Sequence, residues 1–479
     1  MRVPGRDPHS AFAGQGAWWR QSPLGIGLAT VFLLEGVILF AYGLSLPIEY
    51  RVRGDAWEYM QLASKYPRPL ELLAAVGPRS AGMPLVCLAA RLVLEAFGAE
   101  PRPEAWANAV AAILFGVHFL GSGSVTALAL RAGVVRSPGG RLVLFGLAAG
   151  FPALVAHTTV PLTDTLNADV VIFALHATER ARAAGSLRAS IGFGGCAGIL
   201  WAFAVLLRPG NGLPVALALP LGLAFAAWRE PRARAGSAAT VVVAALALAP
   251  IVHRCHAAFG EPCVQAPETF EPLAHLRQGL RGARVLWFHA GYTDDGPPIV
   301  PDRFLVEHFA DRCPLREIVG TGETSLLGCF ARQPHLLPAF AFRKWVGLFD
   351  HFRFQPYAER LTPTWYRALS RVHDGLAWPG FFLALIAFAR SVRRLSATAV
   401  AGLVYFAALV ALHTIIHVEE RYGLAWMPLA CAGFVYGCEA ALAATRDRRV
   451  VQALALVLAF VAADAWFYAT VWSWDATVF

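Results

Sequence analysis

The chain has 479 residues, 57% of them hydrophobic and only 15% charged, and a formal net charge of +9. A water-soluble domain carries about a quarter of its residues as charges, so this balance excludes a soluble enzyme and points to an all-α polytopic membrane protein. The excess of arginine lies beside apolar runs; it reads as membrane orientation rather than nucleic-acid binding.

The first apolar run, residues 23–47, is too long for a signal-peptide core and lacks a cleavage site, so it reads as a retained helix leaving the cytoplasm. Six short segments between apolar stretches each carry three arginines: Arg2/Arg6/Arg20, Arg131/Arg136/Arg141, Arg180/Arg182/Arg188, Arg229/Arg232/Arg234, Arg390/Arg393/Arg394 and Arg446/Arg448/Arg449. Placing all six in the cytoplasm satisfies the positive-inside rule. Residues 48–104 then form a long first outer segment, with surface helices expected near 55–66, 68–76 and 83–97. Its stretch GMPLVCLAARLVLEAFG, residues 82–98, is apolar, but spanning would flip every later arginine segment outward. Arg91 and Glu95, four apart on one face, make it an amphipathic surface helix instead.

Spans follow at about 105–130, 142–161, 163–179, 189–207, 212–228 and 237–253. A long outer loop, 254–374, precedes spans at about 375–389, 397–416, 422–441 and 450–471. The expectation is about 11 transmembrane helices, N-terminus inside and C-terminus outside, in three regions: 1–253, the loop region 254–374, and 375–479. Cys255, Cys263, Cys313 and Cys329 fall in the loop, where an oxidising compartment favours disulfides. Of three pairings, Cys255–Cys263 with Cys313–Cys329 is preferred. Cys87, Cys196, Cys431 and Cys438 sit in apolar context as packing residues.

This topology gathers unusual polar residues on one membrane face. They are Asp55 and Glu58 in RVRGDAWEYMQLA, Asp164 and Asn167 in HTTVPLTDTLNADV, and Arg208 and Asn211 in LLRPGNGLP. The fourth group is His413, His417, Glu419, Glu420 and Arg421 in LHTIIHVEERYGLAWMPLA. Charges beside hydrocarbon are costly and mark function by default. Each also has a plainer reading. Asp55 and Asp164 stand where helices begin and suit capping or first-turn positions; Glu58 pairs with Arg51 or faces water; Arg208 snorkels to lipid phosphates; Glu420 and Arg421 form an interfacial ion pair. His417 alone is more often structural. Glu35 and Asp464 are acids within spans with no evident task. Arg53-Gly54-Asp55 is too short to carry an adhesion reading, HVEERY lacks zinc-protease spacing, and no Gly-rich phosphate loop is present.

The order of these features resembles the GT-C superfamily of integral-membrane glycosyltransferases. The nearest resemblance is to the protein O-mannosyltransferase and lipid A aminoarabinose transferase group. GDAWEYMQLA is similar to the acidic opening of that group's first outer loop, although the family's adjacent Asp-Glu pair is here spread over Asp55 and Glu58, with Tyr59 following. GMPLVCLAARLVLEAFG resembles the family's surface helix, VPLTDTLNADVVIFAL its acid at the outer end of helix 4, and HVEERYGLAWMPLA its late Arg-Tyr stretch. The resemblance implies a GT-C-like module over 1–253 and a multi-pass protein of the bacterial inner membrane with its active site facing the periplasm. Its partners would be a polyprenyl-phosphate-linked sugar donor, membrane lipids, and a glycan, lipid or protein acceptor of the cell envelope. Asp55 would be the catalytic base. Glu58, Tyr59, Asp164, Arg208, His417, Glu420 and Arg421 would bind substrate, the two arginines on the leaving phosphate. Asp164 would orient the sugar or acceptor, or hold a divalent cation with Glu58. Trp57, Tyr59, Trp345, Trp365 and Tyr366 would stack on sugar or anchor at the interface. Three alternatives stand beside this reading: an O-antigen-ligase-like transferase, which lacks the early acidic loop; a lipid or glycan transporter or flippase, which calls for midplane polar residues and inverted repeats; and a non-catalytic scaffold.

Overall fold

A computed structural model describes residues 23–75, 79–260, 262–265, 362–391, 396–415 and 420–443, with 333–335, 338 and 348 as isolated points. Every regular element among them is helical. The expected last span at 450–471, Asp464, His417, Glu419, Trp345 and the Cys313–Cys329 pair lie outside the described residues.

Helix α1 is Pro23–Ser45. Three short helices and one longer one follow before the next apolar helix: α2 Ile48–Arg51, α3 Asp55–Lys65, α4 Pro69–Ala74 and α5 Gly82–Ala96. The last three fall on the expected surface helices. Helix α5 buries Met83, Cys87 and Leu88 and leaves Leu92, Val93 and Phe97 exposed. That division suits an element wedged on the bundle at one end and facing lipid at the other.

Helix α6, Pro103–Arg131, opens on a proline at its first turn, where the missing N–H costs nothing. Helices α7, Pro138–Gly150, and α8, Pro152–Thr158, replace the single straight span expected at 142–161. Pro152 removes an amide from the ladder, and the two axes diverge by 46°. Helices α9 Asp164–Arg182, α10 Leu187–Leu207, α11 Gly212–Arg229 and α12 Arg234–Phe259 follow, joined by short turns. Helix α12 stops at Gly260, whose φ of 77° suits a left-handed C-cap. The expected Cys255–Cys263 disulfide ties the last turns of α12 to the segment just beyond Gly260. Helix α13, Thr364–Ser391, begins inside the segment expected as loop. Helices α14 Ala397–Ile415 and α15 Met427–Ala443 complete the described chain, separated by a 3-10 turn, Glu420–Trp426.

Five helices, α1, α6, α10, α11 with its leading turn, and α12, are long and apolar enough to cross a membrane; the bent α7–α8 pair makes a sixth. The chain is a multi-pass membrane protein. Helix α9 carries Asp164, Asp169, Glu179, Arg180 and Arg182, too many charges for a lipid-facing span. Its place explains this: 14 of its 19 residues are buried, and it packs against α6, α8, α10, α12 and α14. Small residues bring the helices close, as membrane packing requires. Gly25, Gly36 and Gly146 seat α1 on α7, Gly194 and Gly198 seat α10 on α12, and Gly380 and Gly433 seat α13 on α15.

At one end of the bundle the described arginine-rich turns are held by acids. Arg182 bonds Glu179 and lies 3.7 Å from Glu230. Glu439 of α15 accepts from the backbone N–H groups of Arg136 and Ser137 at 2.9 and 2.8 Å, at the N-terminus of α7. A carboxylate there meets unpaired amides and the positive end of the helix.

Candidate active site

The opposite end holds the predicted polar residues. Gly54 has a φ of 54°, a conformation that L side chains rarely adopt. It turns the chain so that Asp55 begins α3, with Glu58 in the same first turn. Residues three apart share a helix face. One side chain joins both: the Arg79 guanidinium donates from Nη2 to Asp55 Oδ1 at 2.6 Å and from Nε to Glu58 Oε2 at 2.6 Å. Burial opposes the Arg79 charge, but Asp55 and Glu58 outweigh it and raise its pKa. Burial, then the nearby Asp55 charge, pushes the Tyr59 phenol above its ordinary value.

The loop that delivers Asp55 is anchored by Arg51, which is 1% exposed. Its Nε donates to the Thr159 carbonyl at 3.1 Å and its Nη1 to Asn108 Oδ1 at 2.6 Å. These contacts take the place of the Arg51–Glu58 pair that the sequence allows.

Asp164 begins α9 with its side chain 1% exposed. Arg208, at the end of α10, donates to Asp164 Oδ1 at 2.5 Å. Its guanidinium also lies over the Tyr422 ring, 4.6 Å from the centroid. The turn behind Arg208 is fixed by Asn211, which donates to Asn167 Oδ1 at 2.7 Å and accepts from the Tyr405 hydroxyl at 2.9 Å. His157 Nδ1 is 3.9 Å from Asp164 Oδ2.

Arg421, from the 3-10 turn, links the two halves. Its Nη1 is 3.4 Å from Asp55 Oδ2 and 4.0 Å from Asp164 Oδ2. The result is one alternating chain: Glu58, Arg79, Asp55, Arg421, Asp164, Arg208. Three carboxylates face three guanidinium groups at formal neutrality. Asp55 stays within reach of solvent, its side chain 22% exposed.

Five expected residues therefore meet: Asp55, Glu58, Asp164, Arg208 and Arg421. Tyr59 is buried in the core beneath them. Glu420 opens the 3-10 turn, but its side chain, like His417, lies outside the described residues. Of the aromatic candidates, Trp57 and Trp365 are exposed and Tyr366 is fully buried. Arg79 is the residue that sequence reasoning misses. Its signal is faint: one arginine in GPRSAGMPL, just before the amphipathic helix. A divalent cation between Asp164 and Glu58 does not fit these residues. Each acid is engaged by its own arginine, and no group of three or more metal-ligating side chains forms among the described residues.

No family model matches the chain, and no curated protein sequence does. Solved structures do. The oligosaccharyltransferase of Archaeoglobus fulgidus in its apo form aligns with 94% of this chain at 13% identity and a TM-score of 0.53. The same enzyme, AglB, in complex with an inhibitory peptide and a dolichol-phosphate, aligns with 93% at 14% identity and a TM-score of 0.50. The chain spans about half the length of that protein, 55% and 54% in the two structures. ArnT from Cupriavidus metallidurans, bound to undecaprenyl phosphate, aligns with 87% of this chain and 79% of its own at 14% identity, with a TM-score of 0.33. The likeness shows that this chain shares the fold of the corresponding part of the archaeal oligosaccharyltransferase.

Proposed function

We propose that this GT-C-fold protein is an inverting glycosyltransferase. It moves a sugar from a polyprenyl-phosphate donor to an acceptor hydroxyl of the cell envelope, on the periplasmic face of the bacterial inner membrane. The observation that carries the reading is the reachable Asp55 carboxylate set among Arg79, Arg421, Asp164 and Arg208. Support from the fold is that AglB, which shares it, has been captured with a dolichol-phosphate.

The chemistry asks for these residue types. A hydroxyl is a poor nucleophile and needs a positioned carboxylate to take its proton. Asp55 does this as the acceptor oxygen attacks the anomeric carbon from the face opposite the leaving group. The leaving group is a lipid phosphate, already a good anion, so it calls for fixed positive charge rather than an acid. Arg421 and Arg208 supply it, since guanidinium binds phosphate oxygens in pairs. Asp164, held by Arg208, orients the sugar or acceptor. Glu58 acts through Arg79, which holds Asp55.

A transporter reading draws on two acid–histidine pairs between helices: Glu35 of α1 with His373 of α13 at 2.9 Å, and His118 of α6 with Asp169 of α9 at 3.2 Å. One comparison separates the two readings. Membranes lacking the protein are supplied with wild type, Asp55→Asn or Asp169→Asn, and envelope glycans are compared by mass spectrometry. The transferase reading expects a sugar-sized mass gain with wild type and a loss of about 10²–10⁴-fold with an equally expressed Asp55→Asn. Full activity of Asp55→Asn would end the base assignment. A glycan change that survives in Asp55→Asn but is lost in Asp169→Asn, or no glycan change with wild type, would favour a carrier.

A further inference from the structure

The sequence singles out Asn167 and Asn211 beside the charged residues, and the transferase chemistry leaves both unused. The structure pairs them. Asp164 with Arg208 and Asn167 with Asn211 form two rungs between α9 and the end of α10, each joining residues 44 apart in sequence. Residues three apart share a helix face, so the amide rung lies about 4.5 Å deeper along α9 than the charged one. It is dry: Asn211 is 2% exposed, Asn167 1% and Tyr405 0%.

The Asn211 amide donates from Nδ2 to Asn167 Oδ1 at 2.7 Å and to the Ala204 carbonyl at 2.8 Å, and its Oδ1 accepts from the Tyr405 hydroxyl at 2.9 Å. Two acceptors facing Nδ2 fix which way the amide points. Arg208 leaves α10 in extended backbone, with φ −139° and ψ 106°, and its carbonyl accepts from the Asn211 backbone N–H at 2.9 Å. The direction of the Arg208 side chain is therefore set by the turn that Asn211 holds. Arg208 uses Nη2 on Asp164. Within the described residues its Nε and Nη1 make no hydrogen bond, and the side chain is 20% exposed.

We infer that Tyr405 is a positioning residue for the donor phosphate, acting through Asn211 and Arg208. Its hydroxyl reaches from α14 across 194 residues of sequence to lock the amide rung, and the locked turn aims the open donors of Arg208 at a lipid phosphate. A second charged rung at this depth would carry a larger desolvation cost. Amides with their hydrogen bonds made are rigid and add no charge to the site. The inference rests on the transferase reading and gives Asn167, Asn211 and Tyr405 a task in it.

The test uses the purified full chain in detergent micelles, with undecaprenyl phosphate and undecaprenol as paired probes. Apparent affinity is read from the concentration dependence of the melting temperature, and the ratio between the two lipids isolates the phosphate. Tyr405→Phe removes one hydroxyl and keeps the ring beside Trp201, 5.3 Å away between centroids. Wild type is expected to prefer the phosphate lipid by at least about tenfold, and Arg208→Gln to lower that preference several-fold. Tyr405→Phe should lower it about five- to tenfold with undecaprenol binding unchanged, and should add nothing in an Arg208→Gln background. A full preference in Tyr405→Phe, an equal weakening of both lipids, or an additive loss in the double variant would overturn the positioning role and leave the transferase reading standing. An undiminished preference in Arg208→Gln would overturn it at its middle step. No preference in wild type would remove the donor reading, and this inference with it. An equal response to inorganic phosphate at equal concentration would assign the open donors to a free anion and overturn the lipid assignment.

Discussion

Asp55 shows how much a single position in a chain can reveal. It follows the first long apolar run in a short charged segment with Arg51, Arg53 and Glu58, and its turn requires Gly54, at a φ of 54°. Asp164, Arg208 and Arg421 are legible for the same reason: charges beside apolar runs need a reason to be there. Arg79 is not legible, because a lone arginine in a polar loop looks like any solvated one. Only the fold brings it to 2.6 Å from two acids that lie 24 and 21 residues earlier. Tyr59 offers a test of this local field. Burial and the Asp55 charge raise its pKa above the ordinary 10.0, so folding favours the protonated phenol. That contribution is fully present below pH 10 and is lost as pH rises through the folded-state value. Thermal unfolding followed between about pH 9 and about pH 11 should fall more steeply for wild type than for Tyr59→Phe. Parallel slopes would mean that Tyr59 titrates alike in both states.

Helices are the most readable level, because a run of apolar residues has few other uses. The surface helices α3, α4 and α5 follow from amphipathicity and from the arithmetic of arginine segments. Two elements differ from the sequence expectation for physical reasons. Pro152 breaks one span into α7 and α8, and α13 starts at Thr364, where polar residues make the helix look like loop. Packing between elements is not readable. Gly82, at the start of α5, is an instance: a Cβ there would sit 2.5 Å from the backbone carbonyl oxygen of Leu206 in α10. Backbone cannot rotate away, so Gly82→Ala must push α5 off α10, at a cost of about 1–3 kcal/mol. Helix α5 follows Arg79 and α10 leads into Arg208, so the wedge also parts two arginines of the site. The expected outcome is a lower melting temperature and a transfer rate reduced by about tenfold or more. Gly116→Ala in α6, where a Cβ meets open space, should leave both unchanged. Equal behaviour of the two variants would show that the α5–α10 contact does not position the site.

At the scale of the whole molecule, the polar cluster and the described arginine-rich turns lie at opposite ends of one helical bundle. The orientation proposed from the positive-inside rule has a direct check. A cysteine replacing Arg68 in the exposed first-loop helices should react with a membrane-impermeant maleimide on intact spheroplasts. A cysteine replacing Gly185, in the exposed turn between α9 and α10, should react only after permeabilisation. Peptide mass spectrometry reads each position, and the reverse pattern would invert the proposed face. The span of the Asp55–Arg421 contact carries a different consequence. The two residues are 366 positions apart, and the Glu439 clasp on the start of α7 reaches across 303. A ribosome releases the chain from its N-terminus onward. The early helices therefore enter the membrane with Asp55 lacking one of its arginines and α7 lacking its carboxylate. The first gap closes when the Glu420–Trp426 turn arrives and the second with the last described helix, so a nascent chain cut short before residue 421 lacks one arginine of the proposed site and the clasp on α7 together.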